Sequence, residues 1–246
     1  MKQLTNLTKG QTYYFRVTAV NNNGVEGAYS NEASVVAINI KPGQNMLSNG
    51  DFAGGKTSWS FPTPVSPAAA TWSVTSGVST CTISNGGSSA SSIQLKQTGI
   101  PLVLGNKYVL EFDAWSTSGT PTRYIEAKLQ NSSGSLNYGG TGSTSITSTL
   151  KHIRTVLTMA GATDLSSMLV FNLGASIKPV YIDNVSLFTP PPGDLNQDGK
   201  VDLLDLRVMT TDWRKSQTGL PADLNADGQV DFRDLGILGD NWSGSP

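Results

Sequence analysis

Two acidic segments of near-identical pattern stand 29 residues apart at the C-terminus: DLNQDGKVDLLD from Asp194 to Asp205, and DLNADGQVDFRD from Asp223 to Asp234. Oxygen-bearing side chains fall at loop positions one, three, five, nine and twelve, with Gly199 and Gly228 at position six. That spacing wraps a hard cation in oxygen ligands, and the glycine allows the sharp turn. The candidate calcium ligands are Asp194, Asn196, Asp198, Asp202 and Asp205 with the Lys200 carbonyl, then Asp223, Asn225, Asp227, Asp231 and Asp234 with the Gln229 carbonyl. After each loop, apolar residues recur at helical spacing: Leu206, Met209 and Trp213, then Leu235, Leu238 and Trp242. Neither helix can bury its stripe alone, so the two units must pack together in a twofold relation. A module of about 50 residues has too little core to be stable by itself, and cation binding to the folded state supplies the difference.

Position twelve is Asp, not the Glu of ordinary EF-hands, and the shorter arm suits a loop with no entering helix. On these residues the whole tail, 194–246, resembles type I dockerins. The resemblance implies docking to a cohesin domain of a scaffold protein through loop positions ten and eleven. Here those are Leu203 with Leu204, and Phe232 with Arg233. The pairs differ, so the two faces need not be interchangeable. The plainer alternative is a calcium-stabilised cap without a partner.

The net charge of −1 conceals an asymmetry: the tail holds ten Asp and no Glu against five basic residues. The acids sit mostly in the loops, and no basic cluster points to nucleic acid. The single cysteine, Cys81, excludes an intrachain disulfide and reads as a buried, inert thiol in a strand. No apolar run approaches the ~18 residues of a membrane span. The N-terminal MKQLTNLTKGQTYYF lacks the apolar centre of a signal peptide. The expectation is a C-terminal piece of a longer bacterial-type secreted protein, extracellular or attached to the cell surface.

Within residues 1–40, Tyr13, Phe15, Val17 and Ala19 alternate with Tyr14, Arg16 and Thr18, as in a half-buried strand. Asn21 to Gly24 breaks the pattern, and a second strand is expected from Ser34 to Ile38. Leu7, six residues before Tyr13, resembles the tyrosine corner of a fibronectin type III domain, with Lys9 where proline is usual. The resemblance covers only the last third of such a domain and implies a spacer.

KPGQ, from Lys41 to Gln44, reads as a linker. Residues 46–188 then carry many short alternating runs separated by Gly, Ser and Asn, the pattern of a two-sheet sandwich or jelly roll. In KYVLEFDAW, Tyr108, Leu110, Phe112 and Ala114 share one face, and Val109, Glu111, Asp113 and Trp115 the other. In RYIEAKLQ, Ile125, Ala127 and Leu129 oppose Tyr124, Glu126, Lys128 and Gln130; in SIQLKQ, Ile93 and Leu95 oppose Gln94 and Lys96. If these strands are neighbours, one face joins Trp115 and Tyr124 to Glu111, Asp113, Glu126, Gln94 and Gln130. Aromatic rings suit the C–H face of a pyranose, and amides and carboxylates suit its hydroxyls. A plain solvated face is the alternative.

NMLSNGDF, SIQLKQ, GNKYVLEFDAWS, LVFNLG and VYIDNVSLF follow one another along this segment. Together they resemble the family 4/9-type carbohydrate-binding modules of bacterial glycoside hydrolases. The resemblance implies a jelly roll binding a single β-glucan or xylan chain in a cleft across one sheet. It implies sugar contacts at Gln94, Trp115, Tyr124, Gln130 and Asn172. Trp72, Trp59 and Tyr138 would line the cleft from turns, Trp59 being equally suited to the core. It also implies a structural calcium, with Asp183 the candidate carboxylate. Ala53 stands where relatives often carry Glu and weakens that implication.

Catalysis has little support. Glu111 and Asp113 share a strand face, but Ala114, Trp115, Ser116 and Thr117 follow where jelly-roll glycosidases add a third carboxylate. The sole histidine, His152, has no nucleophile or carboxylate motif around it in the sequence. TPPPG, from Thr189 to Gly193, reads as a stiff linker to the tail. The whole is therefore expected to be mainly β: a jelly-roll sandwich, a small α-helical calcium-binding dockerin behind it, and a partial fibronectin type III sandwich in front. Its expected function is non-catalytic, the polysaccharide-binding and docking portion of a glycan-degrading protein. The alternative is an adhesive surface protein in which the sandwich is a spacer.

Overall fold

The computed structural model describes residues 7–8, 11–38, 40–217 and 219–243. The chain divides into two compact units, Met1–Ile40 and Lys41–Pro246.

In the first unit, β1 (Thr12–Phe15) pairs antiparallel with β2 (Ala33–Val36), Thr12 opposite Val36 and Phe15 opposite Ala33. The Tyr13 hydroxyl accepts the Thr8 N–H at 2.9 Å. The strands are shorter than the alternation implies. After Phe15 the chain folds back at Asn21–Gly24, and Val17, Ala19 and Val20 bond to Ser30, Gly27 and Glu26 rather than extending the pair with β2. Lys9 lies outside the described residues.

The second unit opens with a sandwich. Its strands are β3 (Ala69–Thr75), β4 (Val78–Asn85), β5 (Gln94–Leu102), β6 (Lys107–Trp115), β7 (Arg123–Gln130), β8 (Asn137–Gly140), β9 (Thr144–Ile146), β10 (Lys151–Thr158), β11 (Asp164–Asn172) and β12 (Val180–Phe188). One sheet runs β10-β6-β12-β4-β3; the other runs β5-β11-β7-β8, with β9 also on β7. Alternation places Tyr108, Leu110, Phe112 and Ala114 inward from one sheet, and Ile125, Ala127, Leu129 and Leu95 inward from the other. Phe112 meets Phe171 edge-on at 4.9 Å between ring centroids. The sheet order corrects the expectation that β6 neighbours β5 and β7: β6 belongs to the opposite sheet. Alternation tells which way a side chain points from its own strand. It carries no information about which sheet the strand joins.

Among the described residues Arg123 is the largest fully buried side chain, and its guanidinium donates to the Leu173 and Gly174 carbonyls. Burial pulls its pKa down to about 10. Gly174 has no room for a side chain, since a Cβ would lie 2.3 Å from the Ser89 carbonyl oxygen. Together these anchor the chain as it leaves β11. Nearby Cys81 is buried on β4, and burial pushes its thiol up to about 12. Iodoacetamide at pH 8 is therefore expected to leave Cys81 unmodified in the folded chain and to alkylate it fully in denaturant, read by intact mass. Modification without denaturant would show that the sandwich opens around β4.

The tail holds α1 (Leu203–Asp212) and α2 (Phe232–Asp240). Each begins with an aspartate cap: Asp202 accepts the Leu204 N–H, and Asp231 accepts that of Arg233. The two units pair reciprocally. Arg214 N–H donates to the Val230 carbonyl, and 29 residues on, Ser243 N–H donates to the Val201 carbonyl. Val201, Val230, Met209, Leu238 and Ala222 form the buried core, with Trp213 and Leu235 against it. Trp242 departs from the expected stripe: it lies beyond the end of α2 and is exposed.

Neither linker hangs free. Gly43 N–H donates to the Thr189 carbonyl, and Thr189 and Gly193 are buried. A Cβ at Gly199 would stand 2.9 Å from the Phe188 ring, so loop one of the tail rests against the last strand of the sandwich.

Candidate functional site

On the outer face of the β5-β11-β7-β8 sheet, the strand register sets three rows of side chains. They are Gln94–Asn172–Glu126, Lys96–Val170–Lys128 and Thr98–Met168–Gln130. Tyr124 continues β7 beyond the first row and is exposed. The first row is a directed chain of hydrogen bonds. Gln94 Nε2 donates to Asn172 Oδ1 at 2.9 Å, Asn172 Nδ2 donates to Glu126 Oε2 at 3.0 Å, and Lys128 Nζ meets Glu126 Oε1 at 2.9 Å. Asn172, Val170 and Met168 are buried although they point outward, so β11 is covered on both faces. Gln94, Tyr124, Gln130 and Asn172 are thus brought together, with Asn172 serving as the fixed link between its neighbours.

Trp115 and Trp72 are not part of this group. Trp115 is on the outer face of the other sheet, stacked on Tyr181 with centroids 5.4 Å apart and planes 10° apart. Glu111 and Asp113 share that outer face. Trp72, on edge strand β3, packs against the core, stacks on Phe61 and donates its Nε1–H to Ser79 at 3.0 Å. Trp59 is core, against Phe52 and Phe171, and Tyr138 packs on the core with its hydroxyl donating to Asp164.

His152 has carboxylate partners that linear inspection missed. Strand β10 sets its Nδ1 2.9 Å from Asp113 Oδ1 and its Nε2 3.9 Å from Glu111 Oε2. Asn184 and Ser186 donate to the same two carboxylates. The network uses the carboxylates up among cross-strand neighbours. Asp183 lies opposite Asp113, takes the Asn184 N–H, and has its carboxyl raised by burial and by the charges of Asp113 and Asp51. Among the described residues it joins no cluster of three metal-binding side chains.

Such a cluster does form in loop one of the tail, where carboxylate oxygens of Asp194, Asp198 and Asp205 lie within 4.8 Å of one another. Asp205 is fully buried; its Oδ1 accepts the Leu195 and Asn196 N–H groups and its Oδ2 that of Asp202. Asp194 accepts from Asp198 and Gly199. Burial pushes Asp194 up to about 6, against those bonds and with the Asp205 and Asp198 charges adding to it. Like charges gathered this closely and removed from water favour an added hard cation, so the donor set fits calcium. Loop two repeats every backbone bond through Asp223, Asp227, Asp231 and Asp234. It differs at position eleven, where Arg233 pairs with Asp227 at 3.2 Å. Leu203, Leu204 and Phe232 stand out on the first turns of the helices, with Leu203 70% and Phe232 78% exposed. Trp213 meets the Phe232 ring edge-on at 5.2 Å.

These features agree with known domains. The Carbohydrate binding domain profile of the CBM4/9 family matches residues 44–179, and the Dockerin type I domain profile matches 192–240. No curated protein matches the chain. Among solved structures, a CBM4 module shares 22% identity, spans 58% of this chain and 98% of its own, and superposes with a TM-score of 0.53. The second N-terminal cellulose-binding domain of Cellulomonas fimi β-1,4-glucanase C shares 22% identity over 59% of this chain and 94% of its own, with a TM-score of 0.47. The CBM22-1 xylan-binding domain of Paenibacillus barcinonensis Xyn10C shares 10% over 61% and 96%, with a TM-score of 0.43. The chain belongs to the CBM4/9 carbohydrate-binding family and carries a type I dockerin domain behind that module.

Proposed function

We propose that the outer face of the β5-β11-β7-β8 sheet holds a β-glucan or xylan chain, and that the tail, loaded with two calcium ions, presents α1 and α2 to a cohesin. Both domains are non-catalytic, and their pairing marks the polysaccharide-binding and cohesin-docking part of a cellulosome-type protein. Such domains are typical of extracellular or cell-surface proteins, and no helix among the described residues is long and apolar enough to cross a membrane. We place the module boundaries at residues 46–188 and 194–246. Residues 1–40 are read as the end of a fibronectin type III domain, on the strength of the Tyr13 bond to Thr8.

The observation that carries the sugar reading is the Gln94–Asn172–Glu126 string. Its links hold one another in place, leaving the Gln94 carbonyl oxygen, the Tyr124 hydroxyl and the Gln130 amide to meet hydroxyl groups. The carboxylate-fixed turns of the two loops carry the calcium reading. Affinity electrophoresis on soluble β-glucan and xylan tests the first. Retardation is expected, weakened about tenfold when Tyr124 and Gln130 are both replaced by Ala, since two exposed contacts contribute about 1.4 kcal/mol together. Free migration on every polymer would favour the spacer role instead.

A further inference from the structure

The charge on the sugar face narrows the ligand. Its middle row sets two lysines on either side of Val170, roughly 10 Å apart across two strand spacings. Lys128 is held by Glu126 at 2.9 Å. Lys96 has no carboxylate within salt-bridge distance among the described residues, so the three rows carry two ammonium groups against one carboxylate. The Lys96 backbone is fixed, exchanging both N–H···O bonds with Ser60 at the sheet edge. Val170 between the lysines is fully buried and offers a ligand no apolar surface of its own. Stacking contributes little: Tyr124 is the aromatic ring beside these rows, while Trp115 and Tyr181 serve the opposite sheet. A face with, among the described residues, one ring, several amides and a spare cation selects its ligand by charge and hydrogen bonding more than by ring contact.

We propose that this face prefers a β-glycan bearing uronic-acid carboxylates, with Lys96 receiving the carboxylate and Lys128 reinforcing it. The proposal rests on this outer face being the sugar site. Lys96 and Lys128 are specificity-determining residues in this reading: the amide string aligns the neutral backbone, and the ammonium groups read the acidic substituent. The plain alternative is that both lysine stems only cover Val170 and Met168.

The test compares glucuronoxylan with the same polymer after carboxyl reduction, by affinity electrophoresis and titration calorimetry at low and high salt. Glucuronoxylan is expected to bind about fivefold more tightly at low salt, the effect of one partly exposed ion pair, and the preference is expected to shrink as salt rises. Lys96→Met keeps the stem and removes the charge; on that variant glucuronoxylan and its reduced form are expected to bind equally. Glu126→Gln frees Lys128 and is expected to enlarge the preference. Equal binding of both polymers by the unaltered chain, or a preference that survives Lys96→Met, overturns the charge proposal and leaves the sugar site standing. No binding to either polymer or to neutral β-glucan overturns both.

Discussion

Alanine at both Asp205 and Asp234 is expected to unfold the tail and leave the sandwich folded. Each of these carboxylates is fully buried and accepts three backbone N–H groups, from Leu195, Asn196 and Asp202 in one loop and from Leu224, Asn225 and Asp231 in the other. Removing one strands those donors in the interior and costs about 3 kcal/mol or more per loop. The proposed calcium contribution is lost with the same atoms. Among the described residues the fully buried part of the tail core is five small or medium side chains, too few to absorb such a loss. Helical circular dichroism should fall to a level that calcium no longer raises, while the thermal transition of the sandwich persists. Asparagine at both sites keeps one acceptor oxygen and should give a partial loss that excess calcium reverses in part. A double-alanine chain with unchanged helix content would refute the loop argument.

The second large effect concerns docking. Leu203 and Phe232 project from equivalent positions, 29 residues apart, on the first turns of α1 and α2. They lie outside the buried core of the tail, so substitution there should spare its fold. Leu203→Asp with Phe232→Asp is expected to weaken cohesin binding at least ~100-fold, because a carboxylate replaces an apolar anchor on both faces. Single substitutions should cost less, and unequally. Phe232 is backed by the Trp213 ring and its neighbour Arg233 is engaged with Asp227, whereas loop one offers Leu203 and Leu204. Calcium binding and helix content are the controls. Unaltered cohesin affinity in the double variant would place the docking surface elsewhere.

The tail was legible because its pattern is written in consecutive residues: twelve positions set the acidic cluster, the turn and the helix cap together. Strand directions in the sandwich were equally legible, since Tyr108, Leu110, Phe112 and Ala114 read inward from period two alone. The partition of strands between sheets was not. Trp115 joins Tyr181 instead of Tyr124 because β6 pairs with β12 and β10, contacts set by residues some 40 to 70 positions away. His152 gained its carboxylates by the same route. Lys96 and Lys128 were visible on the polar side of their strands, but that Val170 separates them depends on β11 lying between.

Loop one leans on the Phe188 ring at Gly199, and Gly43 ties back to Thr189. A join of this kind transmits torque as well as tension. When the tail is held by a scaffold and the sandwich by a polymer, twisting one against the other meets resistance from packed surfaces, where a slack tether of equal length would simply swivel.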